Sequence, residues 1–308
     1  MTQGGAGQGQ GEATPAPVVS PSARGAATGG ASTREAATGS GGPTAPSVLR
    51  SLFAFRGQTS HAVDLYVAAL TFVVLVLLWE IAARLQLAPP QYMPSPGAVV
   101  AALYEMFVKY DFTWDIGVSV FRVWVAFLIS AAMAIPLGIM MSSYRIVNGI
   151  SEPVIDFIRY LPVPALVPLT IIWLGIGETS KITLLWMGTF FQLVLLIADD
   201  ARRVPREYIE IGLTVGARSR QVLRHIVLPA MLPSMVDNLR ITLGWCWTYL
   251  IIAEIVAADS GIGYVIWSAR RYVKTPEVMA GILTIGIIGL LTDQAIRYAH
   301  RRVFAYLR

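Results

Sequence analysis

The sequence predicts an all-α integral membrane protein with six transmembrane helices. Three observations carry that expectation. Hydrophobic residues make up 55% of the 308 positions and charged residues only 14%, whereas a soluble domain is about a quarter charged. Apolar runs near the roughly 20 residues needed to cross a bilayer recur from residue 65 to the end. The arginines gather between those runs, six of them within residues 199–232.

The composition also excludes chemistries. Cys246 is the single cysteine, so neither an intramolecular disulfide nor a Cys-rich metal site can form. The three histidines, His61, His225 and His300, do not share a helical face, which argues against a His-based metal site. A net charge of +5 on such a chain speaks of loops at a lipid surface and not of nucleic acid.

Residues 1–60 are expected to form a disordered cytoplasmic tail, and 61–308 a six-span membrane domain. Gly, Ala, Ser, Thr, Pro and Gln dominate the first 46 positions, where 11 of the 27 glycines fall. Such a segment cannot bury enough apolar surface to offset its chain entropy. It lacks the basic start and apolar core of a signal peptide.

The first span is Leu65 to Ala83. Ser95 and Pro96 suit the start of a short helix in which Val99, Val100, Leu103, Met106 and Phe107 recur at helical spacing, as in a helix lying on a membrane surface. Span two covers Ile116 to Met141, with a kink expected at Pro136. Span three, residues 153–176, carries Pro153, Pro162, Pro164 and Pro168 and is expected to be broken and interior, because irregular backbone at membrane depth needs protein or a water-filled cavity around it. Spans four, five and six are Ile182 to Ala198, Met235 to Ala257 and Val278 to Ile296.

With the N-terminus in the cytoplasm, that side holds 16 Lys and Arg, counting Arg145 and Arg159 after span two, against six outside and two, Arg122 and Arg240, within spans. The positive-inside rule therefore puts both termini in the cytoplasm of a cell (inner) membrane. Arg270, Arg271 and Lys274 run against that trend on the outer side.

The polar stretch 199–232 contains Glu210-Ile211-Gly212, three residues, Gly216, nine residues, then Ile226-Val227-Leu228-Pro229. Pro205 suits a helix start, Glu207 and Glu210 its first turns, and Gly216 a left-handed cap at its end. So short a helix carrying Tyr208, Ile211 and Leu213 needs a groove in a partner to be stable. The spacing resembles the Glu-Ala-Ala, Gly, Ile-x-Leu-Pro signature of ABC importer permeases, with Ile211 and Gly212 in place of the alanines. Arg159-Tyr160-Leu161-Pro162, Trp173 to Gly177, Thr179-Ser180-Lys181, Ala253-Glu254 and Ser260 to Tyr264 resemble the branch that imports nitrate, taurine, sulfonates and bicarbonate, a permease type that also serves pyrimidine precursors. The resemblance covers residues 65 to 305.

The resemblance implies a cytoplasmic coupling helix, docked on a separate ATPase subunit, that involves Glu210, Leu213, Gly216, Ala217, Ile226 and Pro229. Glu210 would face a basic residue of that subunit, and Gly216 would permit a close turn. Glycine at 212 is expected to loosen the packing there. The resemblance further implies an extracytoplasmic solute-binding protein and a second permease copy, identical or related. No Gly-x-x-x-x-Gly-Lys-Ser/Thr loop occurs, so ATP would be bound by the partner and the chain would carry no cofactor and be no enzyme. The rival reading is an ion-gradient-driven secondary transporter, which would show inverted repeats and mid-membrane carboxylates.

Ionisable groups within spans are functional candidates. Arg122, Glu254 and Glu80 are expected at similar depth in the outer half, either as part of an anion pathway or gate or as a structural ion pair. Asp237 and Arg240 are expected to pair on one helix face. Trp245 and Trp247 point in different directions, so at most one lines a cavity. Gly281, Gly286 and Gly289 offer close contact on span six, and Arg270, Arg271 and Lys274 suit either a docked binding protein or phosphate headgroups.

Overall fold

A computed structural model of the chain describes residues 61–257 and 259–305. The expected disordered tail, residues 1–60, lies outside the described residues. Asp64–Arg308 form one compact unit, and of the preceding residues only His61 to Val63, the first turn of a helix, are described.

The described residues form helices and no strands: α1 His61–Arg84, α2 Pro96–Lys109, α3 Phe112–Ser143, α4 Arg145–Arg159, α5 Val163–Leu174, α6 Glu178–Arg202, α7 Arg206–Thr214, α8 Ser219–Val222, a π-helical turn Leu223–Val227, α9 Leu228–Ala257, α10 Ile262–Arg271 and α11 Thr275–Val303. Five stretches are long and apolar enough to cross a membrane, and the pair α4 and α5, bent by 102°, makes a sixth if it is one span. The spans outrun their hydropathic cores because charged residues sit in the last turns, Arg84 in α1, Arg202 in α6 and Arg301 in α11. Cations there complement the helix dipole. α3 passes unbroken through Pro136, which removes the N–H that would bond the Ala132 carbonyl. α2 starts as expected, with Ser95 Oγ accepting from the Ala98 amide at 3.3 Å and Pro96 in the first turn. Val99 and Met106 turn inward, while Val100 and Phe107 stay exposed.

Side-chain contacts fix the relative directions. Arg122 meets Glu178, Ser130 meets Thr189, and Gly138 faces Val194 and Ile197, so α3 and α6 run parallel. Asn238 meets Asp200 and Tyr249 lies over Gly188, so α9 runs against α6. Arg240 meets Asp293 and Trp247 lies near Gly289, so α11 runs against α9. This is the alternation that consecutive spans require.

Two apolar clusters fill the bundle. One holds Val123, Phe127, Leu184, Leu250 and Ile262, and the other Met141, Leu193, Ile197, Val227 and Met231. Between them Ser130 donates to Thr189, whose own hydroxyl donates to the Leu185 carbonyl at 2.9 Å. α1 stands at the periphery, exposing Leu70, Phe72, Leu75 and Leu78 along its length. Span three is broken, as its prolines predict, but it is not interior to this chain. α5 buries Val167 and Thr170 yet exposes Ile172 and Trp173, and α4 exposes Ile146, Ile150, Val154 and Phe157 along one stripe.

Candidate functional site

Arg122 is fully buried on α3 and has every N–H engaged. Nε and Nη2 donate to Glu178 Oε2 and Oε1 at 2.7 and 2.5 Å. Nη1 donates to Glu254 Oε1 at 2.7 Å and to the Ser260 carbonyl at 2.8 Å, and Nη2 also reaches Ser260 Oγ at 3.3 Å. A guanidinium has five N–H donors, and these contacts use all five. A buried charge of this kind persists only when it is paired and fully hydrogen-bonded.

The carboxylates are held in turn. Glu254 accepts from Ser119 Oγ at 2.7 Å and from the Gly263 amide at 2.8 Å, while Ser119 accepts from the Ile262 amide at 2.9 Å. Asp115 accepts from the Gly261 amide at 2.6 Å, and Lys181 donates to Glu178 at 3.0 Å. Gly261 has φ +107, and a Cβ there would lie 2.6 Å from Arg122 Nη1, so both conformation and space require glycine. The network ties α3, α6 and α9 to the turn before α10.

Of the two carboxylates expected beside Arg122, the structure brings Glu254 there and not Glu80. Glu80 is bound to Arg84 one turn along α1, at 2.6 Å, because α1 stands outside the bundle. The second partner is Glu178, which opens α6 three residues before Lys181, as an i,i+3 acid and base.

α7 follows Pro205 as the sequence predicts, and its end is specific. The Ala217 amide donates to the Gly212 carbonyl and the Gly216 amide to the Leu213 carbonyl, both at 3.0 Å, with Gly216 at φ +87. That pair of bonds around a left-handed residue is the Schellman motif. Gly212 is buried, and a Cβ there would fall 2.5 Å from Ile226 Cδ1 and 3.3 Å from Val222 Cγ2. Glycine at 212 therefore admits close packing instead of loosening it. Glu210, Tyr208, Ile211, Leu213 and Val215 remain exposed.

Pro229 lacks an N–H and crowds the carbonyl four residues back. Just before it the chain widens into the π turn, and the Leu228 amide donates to the Leu223 carbonyl. Such turns recur at functional sites. Ala217 and Ile226 are half-buried against the same cluster, and Pro229 is exposed.

The break between α4 and α5 opens a cavity of about 430 Å³ against α6 and α9, lined by Arg159, Tyr160, Gln192, Trp245, Thr248 and Tyr249 among others. Trp247, two residues from Trp245, is buried in the core instead, so one of the pair lines a cavity.

The sequence model for binding-protein-dependent transport system inner membrane components matches residues 134–305, which takes in the Schellman-capped helix, the π turn and the broken span. The chain belongs to that family. The permease is 34% identical over 238 residues to the taurine transport system permease protein of Escherichia coli strain K12, covering 76% of this chain and 86% of that one. It is 27% identical to the nitrate import permease protein of a Synechocystis strain, covering 75% and 86%. An inward-facing methionine ABC transporter shares its fold with a TM-score of 0.56 at 20% identity, covering 63% of this chain and 97% of that chain. The permease is thus an ABC importer permease subunit of the nitrate, sulfonate and taurine branch, a multi-pass membrane transport protein and not an enzyme.

Elsewhere in the permease, Arg240 and Asp237 pair at 3.5 Å as expected, and Asp293 of α11 adds a closer contact to Arg240 at 2.9 Å. Gly281 packs on Ile266 and Gly289 lies near Trp247, so of the three span-six glycines only Gly286 has open space around it. α10 is the short helix expected after Gly261. Arg270 and Arg271 are exposed and lie over the Trp267 ring at 4.8 and 5.8 Å. Lys274 donates to Glu277 at 2.9 Å, and that bond holds its ammonium above the usual lysine range.

Proposed function

We propose that the permease forms the solute pathway of an ATP-driven importer for a small solute bearing an oxyanion group, such as taurine, an alkanesulfonate, nitrate or bicarbonate, and couples it through α7 to a separate ATPase subunit. The observation that carries this reading is α7 itself. A nine-residue helix exposing Tyr208, Ile211, Leu213 and Val215 is too short to persist in water by propensity alone. It is fixed from behind by the Gly212 and Ile226 contact and capped at Gly216, which leaves its apolar side and Glu210 free for a partner. The names of the relatives, taurine and nitrate permeases, point to the substrate class.

In this reading two copies assemble, and residues 61–308 act as one permease domain with both termini in the cytoplasm. An extracytoplasmic binding protein docks over α10, where Arg270, Arg271 and Lys274 meet its acidic groups. ATP is bound by the partner subunit.

The test is co-purification. Wild-type permease should carry its ATPase subunit through purification, and Glu210→Arg should lose it while the permease stays folded. Retention of the subunit by Glu210→Arg would remove the role given to Glu210, and absence of any ATPase from the wild type would remove the coupling itself. The ligand follows from thermal stabilisation of the binding protein by each candidate anion in excess.

A further inference from the structure

We propose that the cavity at the break between α4 and α5 is an anion-binding station at mid-depth of the permease. Arg159 supplies the charge, and Gln192, Thr248 and Tyr249 supply neutral hydrogen bonds to a singly charged oxyanion group, free as in nitrate or borne by the solute as in a sulfonate. The proposal rests on the importer reading above and gives it a site.

Depth comes first. The charge count assigns Arg159 to the cytoplasmic side although it falls within residues 153–176 of span three, and the contacts place it deeper. Arg202, at one end of α6, bonds Asn148 at 2.5 Å and Glu152 at 3.5 Å, so the start of α4 lies at that end of the bundle. Glu178, at the other end of α6, bonds Arg122. The cavity touches Met187, Gly188 and Gln192, half-way along α6 and level with the Ser130 and Thr189 pair. Arg159 lies seven residues beyond Glu152, about 10 Å further along α4 at 1.5 Å per residue. Its neighbour Phe157 and the preceding Val154 present apolar side chains outward, as lipid-depth positions do. A cation at that depth beside a cavity is a candidate for a solute path.

Unspent hydrogen-bonding capacity comes second. Arg122 has no donor left, and Arg240, whose buried Nε is also unbonded, is neutralised by two carboxylates, Asp237 and Asp293. Among the described residues Arg159 has one carboxylate partner, Asp156 of its own helix. Nη2 donates to Tyr160 Oη at 3.0 Å, the guanidinium lies 4.8 Å from the centre of the Tyr160 ring, and the buried Nε makes no hydrogen bond. Nη1 has no partner among the described residues. The Gln192 amide and the Tyr249 hydroxyl likewise bond no described residue, and Thr248 reaches the Gly244 carbonyl only at 3.5 Å. The buried Arg159 Nε is costly to leave unbonded unless a ligand or water satisfies it, whereas the polar atoms of Gln192, Thr248 and Tyr249 line the cavity and are free for a solute.

Electrostatics comes third. Arg159 is the one charged side chain in the cavity lining. The carboxylate that faces it is Asp156 on its own helix, 3.1 Å from Nε and nearly half exposed, so an arriving anion can take its place while Asp156 turns outward. A guanidinium presents paired N–H groups that match two oxygens of a planar or trigonal oxyanion, and 430 Å³ admits such an ion with part of its water.

The test is uptake of labelled taurine, an alkanesulfonate, nitrate and bicarbonate by proteoliposomes holding the whole transporter, permease with its ATPase and binding protein. Arg159→Gln should lower maximal uptake on the order of ten- to hundredfold, the range lost with a charge-assisted hydrogen bond, while ATP hydrolysis stimulated by the loaded binding protein persists. Arg159→Lys should restore part of the rate, and Gln192→Ala and Tyr249→Phe should each cause a smaller loss. Wild-type uptake in Arg159→Gln overturns the station and leaves the importer standing. If Arg159→Gln does not assemble, Gln192→Ala and Tyr249→Phe decide, and wild-type uptake by both overturns it. A wild-type transporter with no ATP-dependent uptake of any of the four solutes overturns the importer reading for this solute class, and the station with it.

Discussion

Arg122 and Glu254 meet at 2.7 Å with neither side chain exposed to any degree, and Glu178 closes on the same guanidinium while leaving about half of its own side chain exposed. The two carboxylates are therefore unequal partners. Removing one member of a buried pair leaves an uncompensated charge, at a cost of about 3–5 kcal/mol. Arg122→Gln and Glu254→Gln should each lower the thermal unfolding midpoint of the purified permease steeply. Glu178→Gln should lower it less, since Glu254 and Ser260 still hold the arginine. Equal losses in all three variants would contradict this ordering.

The contact between Gly212 and Ile226 gives a second prediction. An added methyl at 212 meets the flexible end of Ile226, so that end must shift, while alanine gains about 0.5–1 kcal/mol of helix stability over glycine. Gly212→Ala should be close to neutral. Gly212→Val, with two more carbons against Val222 and Ile226, should cost about 1–3 kcal/mol. Ile226→Val removes the clashing carbon, so the double variant Gly212→Ala with Ile226→Val should be more stable than the single changes sum to, by about 0.5 kcal/mol or more. Strict additivity in thermal unfolding would mean that the two residues do not touch.

Legibility in the sequence tracks how local each feature is. Gly216 and Pro205 bracket α7 because caps and starts are encoded within one turn, and Arg122 and Glu254 stand out because charges within apolar runs are rare. Glu178 escaped because it lies in the turn before an apolar run, and nothing local says that α6 begins there or that its first residue reaches α3. Arg159 falls within six residues of the start of span three, so a count of charges by side assigns it to the cytoplasm. Only the packing of α4 along α6 shows that the helix before the break has already climbed to mid-depth. Gly212 misled for a related reason: helix propensity counts against glycine, and the neighbour that needs its space is 14 residues away.

Asp293 of α11 carries a third prediction. It accepts from Arg240 at 2.9 Å and from Arg297 at 3.2 Å, and Arg240 is mostly buried. Asp293→Asn weakens both contacts at once and should cost about 1–3 kcal/mol. Asp237→Asn should cost under about 1 kcal/mol, because Asp237 is half exposed and stands 3.5 Å from Arg240. Chemical or thermal unfolding of the two variants side by side checks the ranking, and a larger loss for Asp237→Asn would reverse it.

The charges around α10 separate two uses of the same surface. Arg270 and Arg271 are held over Trp267, and Lys274 is fixed by Glu277 with Tyr110 5.5 Å away, so the three cations are presented by ordered side chains. An ordinary lysine is already protonated at pH 9, and the bond to Glu277 raises Lys274 further, so attraction at this site should not fade as pH rises toward 9. If the surface receives a binding protein, reversing both arginines to Glu should weaken docking at least about tenfold in dilute buffer, and the difference should shrink as salt shortens the Debye length from about 10 Å at 0.1 M to about 3 Å at 1 M. If the arginines instead contact phosphate headgroups, the same double variant should dock normally and differ only in its preference for anionic lipid. Docking measured across a salt series, with vesicle composition held fixed, therefore assigns the surface to a protein or to the bilayer.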